Sequence, residues 1–170
     1  MSTSINQGSI QASVSVTYNG TVGENGVDTA SLPVAYLVNQ ALANGTGANQ
    51  AEVIYKDNRT LAAGASDTID LHGGTFKDAF GNGIVLSKVL ALVIKNAGGS
   101  SGTLTVGDAA TNAWAAALGA TGTVIVDIGG ALVLIAPSAT GYPVSSASFE
   151  LKVLNNGAGN STYDILVIGN

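Results

Sequence analysis

The side chain with the widest chemical reach in this sequence is its single histidine. His72 stands in "IDLHGG", close behind Asp67 and Asp70 of "SDTID". A histidine acts as a general base only when a partner orients it and a cleft brings a substrate to it. Asp67 and Asp70 are three residues apart, so on an extended strand they point to opposite faces and cannot work as a facing pair. Carboxylates drawn from distant strands could still perform glycosidase-like chemistry, but nothing in the sequence selects a pair. His72 therefore reads as a structural or surface histidine.

The other candidates thin out in the same way. "DAFGNG", residues 78–83, sets an Asp and amide oxygens beside glycine as a calcium loop does. It lacks the alternating carboxylates and the closing Glu of an EF-hand, and it reads as a turn. "GNGIVLSK" places Lys88 in a strand instead of at a helix start, so it is no phosphate-binding loop. "NAGGSSG", residues 96–102, has the composition of a flexible loop and no nucleotide fingerprint. Trp114, the sole tryptophan, lies in "AATNAWAAALG"; it would be a sugar platform or an interface anchor on an exposed loop, and core packing is the plainer reading. Tyr142 in "TGYP" is similarly placed and reads as somewhat more exposed. No residue is assigned a catalytic, cofactor-binding or metal-binding role, no cofactor is expected, and the chain reads as a non-enzyme.

The elements that would have to position these residues are strands. In "SIQASVSVTYNG" the residues Ile10, Ala12, Val14, Val16 and Tyr18 alternate with Gln11, Ser13, Ser15, Thr17 and Asn19, the pattern of a half-buried strand. Further strands are predicted over 31–42, 52–62, 67–71, 84–95, 102–106, 122–128, 131–135, 149–155 and 162–168. "TNAWAAALGA" is the one Ala-rich stretch, fit for a turn or two of helix or a packed loop. Asn-Gly recurs at Asn19, Asn25, Asn44, Asn82 and Asn156, a dipeptide suited to tight turns because both residues tolerate positive φ. Pro33, Pro137 and Pro143 fall near strand ends or loops, where a missing donor does least harm. Many short strands with turn signals between them predict an all-β fold. We expect a single antiparallel β-sandwich, jelly-roll-like, over residues 9–170, with a short N-terminal arm over residues 1–8.

Two segments share a plan. "ALVIKNAGGSSGTLTVG" and "ELKVLNNGAGNSTYDILVIG" each run aliphatic strand, Asn, glycine-rich loop, Thr, aliphatic strand, with equal steps from Asn96 to Thr103 and from Asn155 to Thr162. They read as two similar hairpins in one domain. In the second, Tyr163, Ile165 and Val167 lie on one face while Leu166 and Ile168 lie on the other. Both faces are then covered, which places the closing strand inside a sheet or at a subunit contact, since an exposed apolar edge would invite aggregation.

Composition narrows the partners. Charged residues are 10% of the chain, against ~25% in an average soluble domain, whereas 46% are hydrophobic and 23 are glycine. A surface of hydroxyl, amide and glycine packs readily against other subunits, because few charges must be desolvated. The net charge is -5 with only six Lys and Arg, spread thinly, so neither nucleic acid nor an anionic membrane surface is an expected partner. "MSTSINQGSI" lacks the basic and apolar regions of a secretory signal, and the longest apolar runs are too short to span a membrane. There is no cysteine. Sequons at Asn19, Asn44, Asn58 and Asn160 read as loop chemistry in a chain without a signal.

From residue 61 to residue 170 the chain resembles the small β-rich virion proteins of tailed bacteriophages, of the capsid decoration (cement) type. The resemblance rests on "LAAGASDTIDLHGG", "DAFGN", the "LALVIKN…TLTVG" pair and "YDILVIG". It implies a structural protein that oligomerises, often as a trimer, and binds the major capsid protein on the outside of the head shell. Assembly would take place in the host bacterial cytoplasm, where absence of disulfides is no handicap, and the finished location would be the virion. The alternative expectation is a tail or head-fibre component that binds host-surface glycans through exposed Tyr, Trp and Asn side chains.

Overall fold

The computed structural model describes residues 8–22, 28–78 and 80–170. All regular structure among them is β: β1 Gly8–Val22, β2 Asp28–Asn44, β3 Gln50–Ala51, β4 Val53–Leu61, β5 Ser66–Asp70, β6 Lys88–Asn96, β7 Leu104–Gly107, β8 Thr123–Val126, β9 Ala131–Ile135, β10 Tyr142–Pro143, β11 Glu150–Asn155 and β12 Ser161–Gly169. Every strand predicted from alternation has its counterpart, and the Ala-rich stretch forms bends and turns instead of helix. Residues 1–7 of the expected N-terminal arm lie outside the described residues, and Gly8 opens β1.

The strands form three sheets. β1, β2 and the short β3 make one; a second runs β10–β6–β12–β4 with β9 also on β6; a third runs β5–β11–β7–β8. All pairings are antiparallel except the two-residue contact of β2 with β3. The second and third sheets share one core. Tyr163, Ile165 and Val167 of β12 enter it from the second sheet, and Ile69, Val106 and Val153 meet them from the third. Each fully buried aliphatic side chain there stabilises the fold by about 1.5–3 kcal/mol. The alternation read from "YDILVIG" holds on both faces. Ile168 lies with Leu90 and Ala91 in a smaller cluster on the reverse side of the second sheet, with Leu166 packed beside it. As expected of a strand covered on both faces, β12 is internal, paired with β4 along one edge and β6 along the other.

The two expected hairpins are not hairpins. β6 pairs with β9, β10 and β12, whereas β7, the strand that follows it, pairs with β8 and β11. The same holds for β11 and β12, which belong to different sheets. Each glycine-rich loop is thus an arch that carries the chain across the core. The crossings from β4 to β5 and from β8 to β9 meet them at the same end, since Leu61 lies opposite Ser161, Asn96 opposite Tyr163 and Lys95 opposite Ala131.

Buried asparagines hold these arches. Asn155 Nδ2 donates to the carbonyls of Leu61, Ala62 and Gly159 at 3.1, 2.9 and 2.8 Å, and its Oδ1 accepts from the Gly157 amide and the Ser161 hydroxyl. Asn96 occupies the matching place with less support: its Nδ2 donates to Gly102 and Val126 carbonyls, and its Oδ1 has no partner among the described residues. The arches touch backbone to backbone. A Cβ added at Gly102 would stand 2.3 Å from the Gly157 Cα, so this crossing admits no side chain.

Candidate interaction surface

The sequence-selected residues do not converge. His72 Nδ1 lies 2.9 Å from the Leu86 carbonyl, which fixes it as the donor, and the ring tilts against Phe149. Asp70 accepts from the His72 and Gly73 amides and the Thr75 hydroxyl, closing the turn after β5. Burial works against its charge, but these three hydrogen bonds outweigh it and hold the carboxyl below the usual carboxylate range. Asp67 faces the other way, as its spacing predicts, and accepts from Tyr163 and Arg59. Asp78 spends its oxygens on the Phe80 and Asn82 amides and the Asn82 side chain, so "DAFGNG" is a self-bonded turn. Among the described residues no three His, Asp or Glu side chains are grouped as a metal would require.

Trp114 is buried, with its Nε1 donating to the Pro143 carbonyl at 2.8 Å and its ring edge-on to Tyr142. A sugar platform needs an open ring face, so the glycan-binding expectation loses its tryptophan. Tyr142 is half-buried beside it. Lys88 is also buried, and its ammonium is capped by the carbonyls of Thr46, Gly47 and Ala139. It thereby ties the turn that follows β2 to the body of the molecule.

One charged cluster escaped the sequence reading. Tyr55, Asp57 and Arg59 take alternate positions of β4 and share its inward face. Arg59 Nε donates to Asp57 Oδ2 at 2.9 Å, its Nη1 donates to Asp67 of β5, and the guanidinium lies 4.6 Å from the centre of the Phe76 ring. Tyr55 and Tyr163 add hydrogen bonds to Asp57 and Asp67. The cluster spans β4 and β5, which are edge strands of the two facing sheets, and so it clasps that edge shut. Each of its five polar side chains already has a hydrogen-bond partner, which suits a structural role better than chemistry.

Among the described residues, half of the exposed large hydrophobic side chains belong to β1 and β2. They pair from Gly8 opposite Leu42 to Val22 opposite Asp28, about 50 Å at ~3.4 Å per residue. From Asp28 to Leu42, among the described residues, neither strand pairs with anything but the other. Residues opposite one another share a face, so Val14 with Tyr36 and Val16 with Val34 form one apolar side, continued by Leu32. On the other side lie Ser13 with Leu37, Ser15 with Ala35 and Thr17 with Pro33. Pro33 is harmless there because the strand edge is open.

The alternation that resembles a half-buried strand is buried only at its root. Ile10 and Leu42 pack with Ala51, Leu90, Ala91 and Ile168 on the reverse side of the second sheet. Beyond them Val14 is 64% exposed, Tyr36 69% and Leu32 61%. Where the ribbon lifts off the sheet, a cleft of about 450 Å³ opens between residues 9–13 and Val93, Val133, Ile135 and Leu166.

No protein-family model matches the chain, and neither a curated protein nor a solved structure does.

Proposed function

We propose that this chain is a non-enzymatic structural protein of a tailed-phage virion, a capsid decoration protein that assembles with copies of itself and reinforces the head shell. The observation that carries the proposal is the division of the molecule into two kinds of surface. One part is a buried core between two sheets whose polar clusters hold turns and edges. The other is a long ribbon with an apolar face that a single chain leaves open. A two-stranded ribbon is at best marginally stable alone in water, so a face of this kind belongs against a partner. Charge is scarce, which keeps the desolvation cost of such contacts low.

The proposed body is a jelly roll. Leaving aside the two-residue β3 and β10, the eight strands from β4 to β12 pair first with last, second with seventh, third with sixth and fourth with fifth: β4 with β12, β5 with β11, β6 with β9, β7 with β8. That is a long antiparallel ribbon wrapped over itself, and jelly rolls of two facing sheets recur in viral capsid and lectin domains. The fold agrees with the reading and does not by itself establish it.

Antibody-gold labelling of intact particles from a lysate containing the protein tests the proposal. Gold over the whole head, with genome loss at lower temperature from particles that lack the protein, is the expected result. Gold confined to the tail end moves the role to attachment. Unlabelled particles, alongside a labelled coat protein, overturn the virion reading.

A further inference from the structure

We infer that the β1–β2 ribbon is the self-assembly element of this protein, and that its apolar face packs against the same face of the ribbon on another copy. The inference deepens the self-assembly part of the function proposed above and is independent of attachment to a shell.

Four observations identify the occupant as another copy. The first is continuity. The open face is the outward continuation of the face that Ile10 and Leu42 already bury against the body, so the ribbon leaves the molecule with its apolar side turned toward the cleft. The second is charge. Within β1 and β2 the only ionisable side chains are Asp28 and Tyr18 and Tyr36, so no cation or anion lies along the stretch from 31 to 44 or from 8 to 22. Two chains of net charge -5 meet there without like charges opposed, whereas recognition of a different protein would draw on charged or donor groups for specificity.

The third observation is chemical likeness. Among the described side chains Val14, Val16, Leu32 and Val34 with Tyr36 make a largely aliphatic face, and such a face is complementary to itself in the way that the inner faces of two packed sheets are. The fourth is area. Over residues 14–19 and 31–36 the ribbon is two strands wide and offers roughly 200 Å² in projection at ~3.4 Å per residue and ~4.8 Å between strands. A standard interface takes about 800 Å² per partner, so the ribbon faces alone fall short. The row Val133, Val93 and Leu166, in register across β9, β6 and β12, lines the cleft at the ribbon root and supplies the next available apolar surface. The part of a neighbour's ribbon that carries Val16 and Val34 therefore closes over that row. Two ribbons stacked face to face and three arranged about an axis both satisfy this geometry.

Sedimentation equilibrium of the full chain tests the inference. A mass of two or three chains is expected. The paired variant Val16→Lys with Val34→Asp charges the apolar face while keeping attraction across the strands, so the ribbon itself is retained. It should weaken self-association on the order of 100-fold. Ser15→Lys with Ala35→Asp places the same pair on the opposite face and should leave the mass unchanged. Circular dichroism of each variant establishes that the body is folded. A monomeric parent chain at tens of micromolar overturns the inference. So does a Val16, Val34 variant that is folded and keeps the parent mass, or an association lost equally in the Ser15, Ala35 variant. Particle labelling reads shell attachment separately, so either result can fail without the other.

Discussion

Tyr55 and Tyr163 hold their protons for different balances of the same causes. Burial is the main one for each; Asp57 beside Tyr55 adds to it, and so does the charge of Asp67 beside Tyr163, while Arg59 opposes both. The Tyr55 phenol is pushed up to about 12, and that of Tyr163 is raised further. Spectrophotometric titration should therefore leave at least two of the five tyrosines un-ionised as the pH passes the ordinary value of about 10. Because the folded chain keeps these protons more tightly than the unfolded chain, their contribution to stability is complete below pH ~10 and drains as pH rises toward 12. A single step that ionises all five in the folded protein would contradict the cluster geometry. At the acid end the sign reverses. Burial disfavours the charge of Asp57, yet hydrogen bonds from Arg59, Tyr55 and the Asn58 amide hold its carboxyl below the usual range, as the turn amides do for Asp70. The stability these carboxylates provide is present above about pH 4 and is lost as pH falls through their depressed values. Asp70→Asn should lower stability by about 1–2 kcal/mol at neutral pH and shrink that loss. An unchanged acid limb in denaturant titrations across pH would refute the assignment.

At the scale of elements, alternation made strands legible and left their partners illegible. The face shared by Tyr163, Ile165 and Val167 could be read because a buried sheet imposes a period of two whatever lies beside it. The pairing of β6 with β12 could not, since a strand, a glycine-rich loop and a second strand look alike whether the strands pair or cross a core. The same limit hid the ribbon: alternation in "SIQASVSVTYNG" marks an apolar face and does not say which molecule covers it. The Arg59 cluster left a fainter signal. Asp57 and Arg59 fall in step with Tyr55 and Leu61, which puts ionic groups on a core-facing side, but the carboxylate of Asp67 joins them only through the fold. The repeated Asn in the two arches was visible, and its work was not. Asn155→Ala strands carbonyls from two crossings together with the Gly157 amide and should cost about 3 kcal/mol, whereas Asn96→Ala, with fewer bonds and an Oδ1 already unpaired, should cost roughly half as much. Equal losses in urea unfolding would mean that the two arches are held by something other than these amides.

For the molecule as a whole, body and ribbon should report different stabilities. Amides of β12 lie inside a sheet and should exchange only on global unfolding, independent of protein concentration. Those between residues 14 and 19 and between 31 and 36 have one strand partner and an open face, so their protection should rise with concentration as copies associate. Hydrogen exchange followed by mass spectrometry across a dilution series separates these cases. Protection of the ribbon that stays constant on dilution would count against the assembly role. The position of β12 has a further consequence, for synthesis. Among the described residues β4 has no sheet neighbour except β12, and the Asn58–Asp164 contact joins residues 106 apart in the chain. At ~5–20 residues per second, a ribosome takes roughly 5–20 s to supply that neighbour. For that interval β4 waits with both edges bare, and the second sheet can close only after translation has passed Gly169.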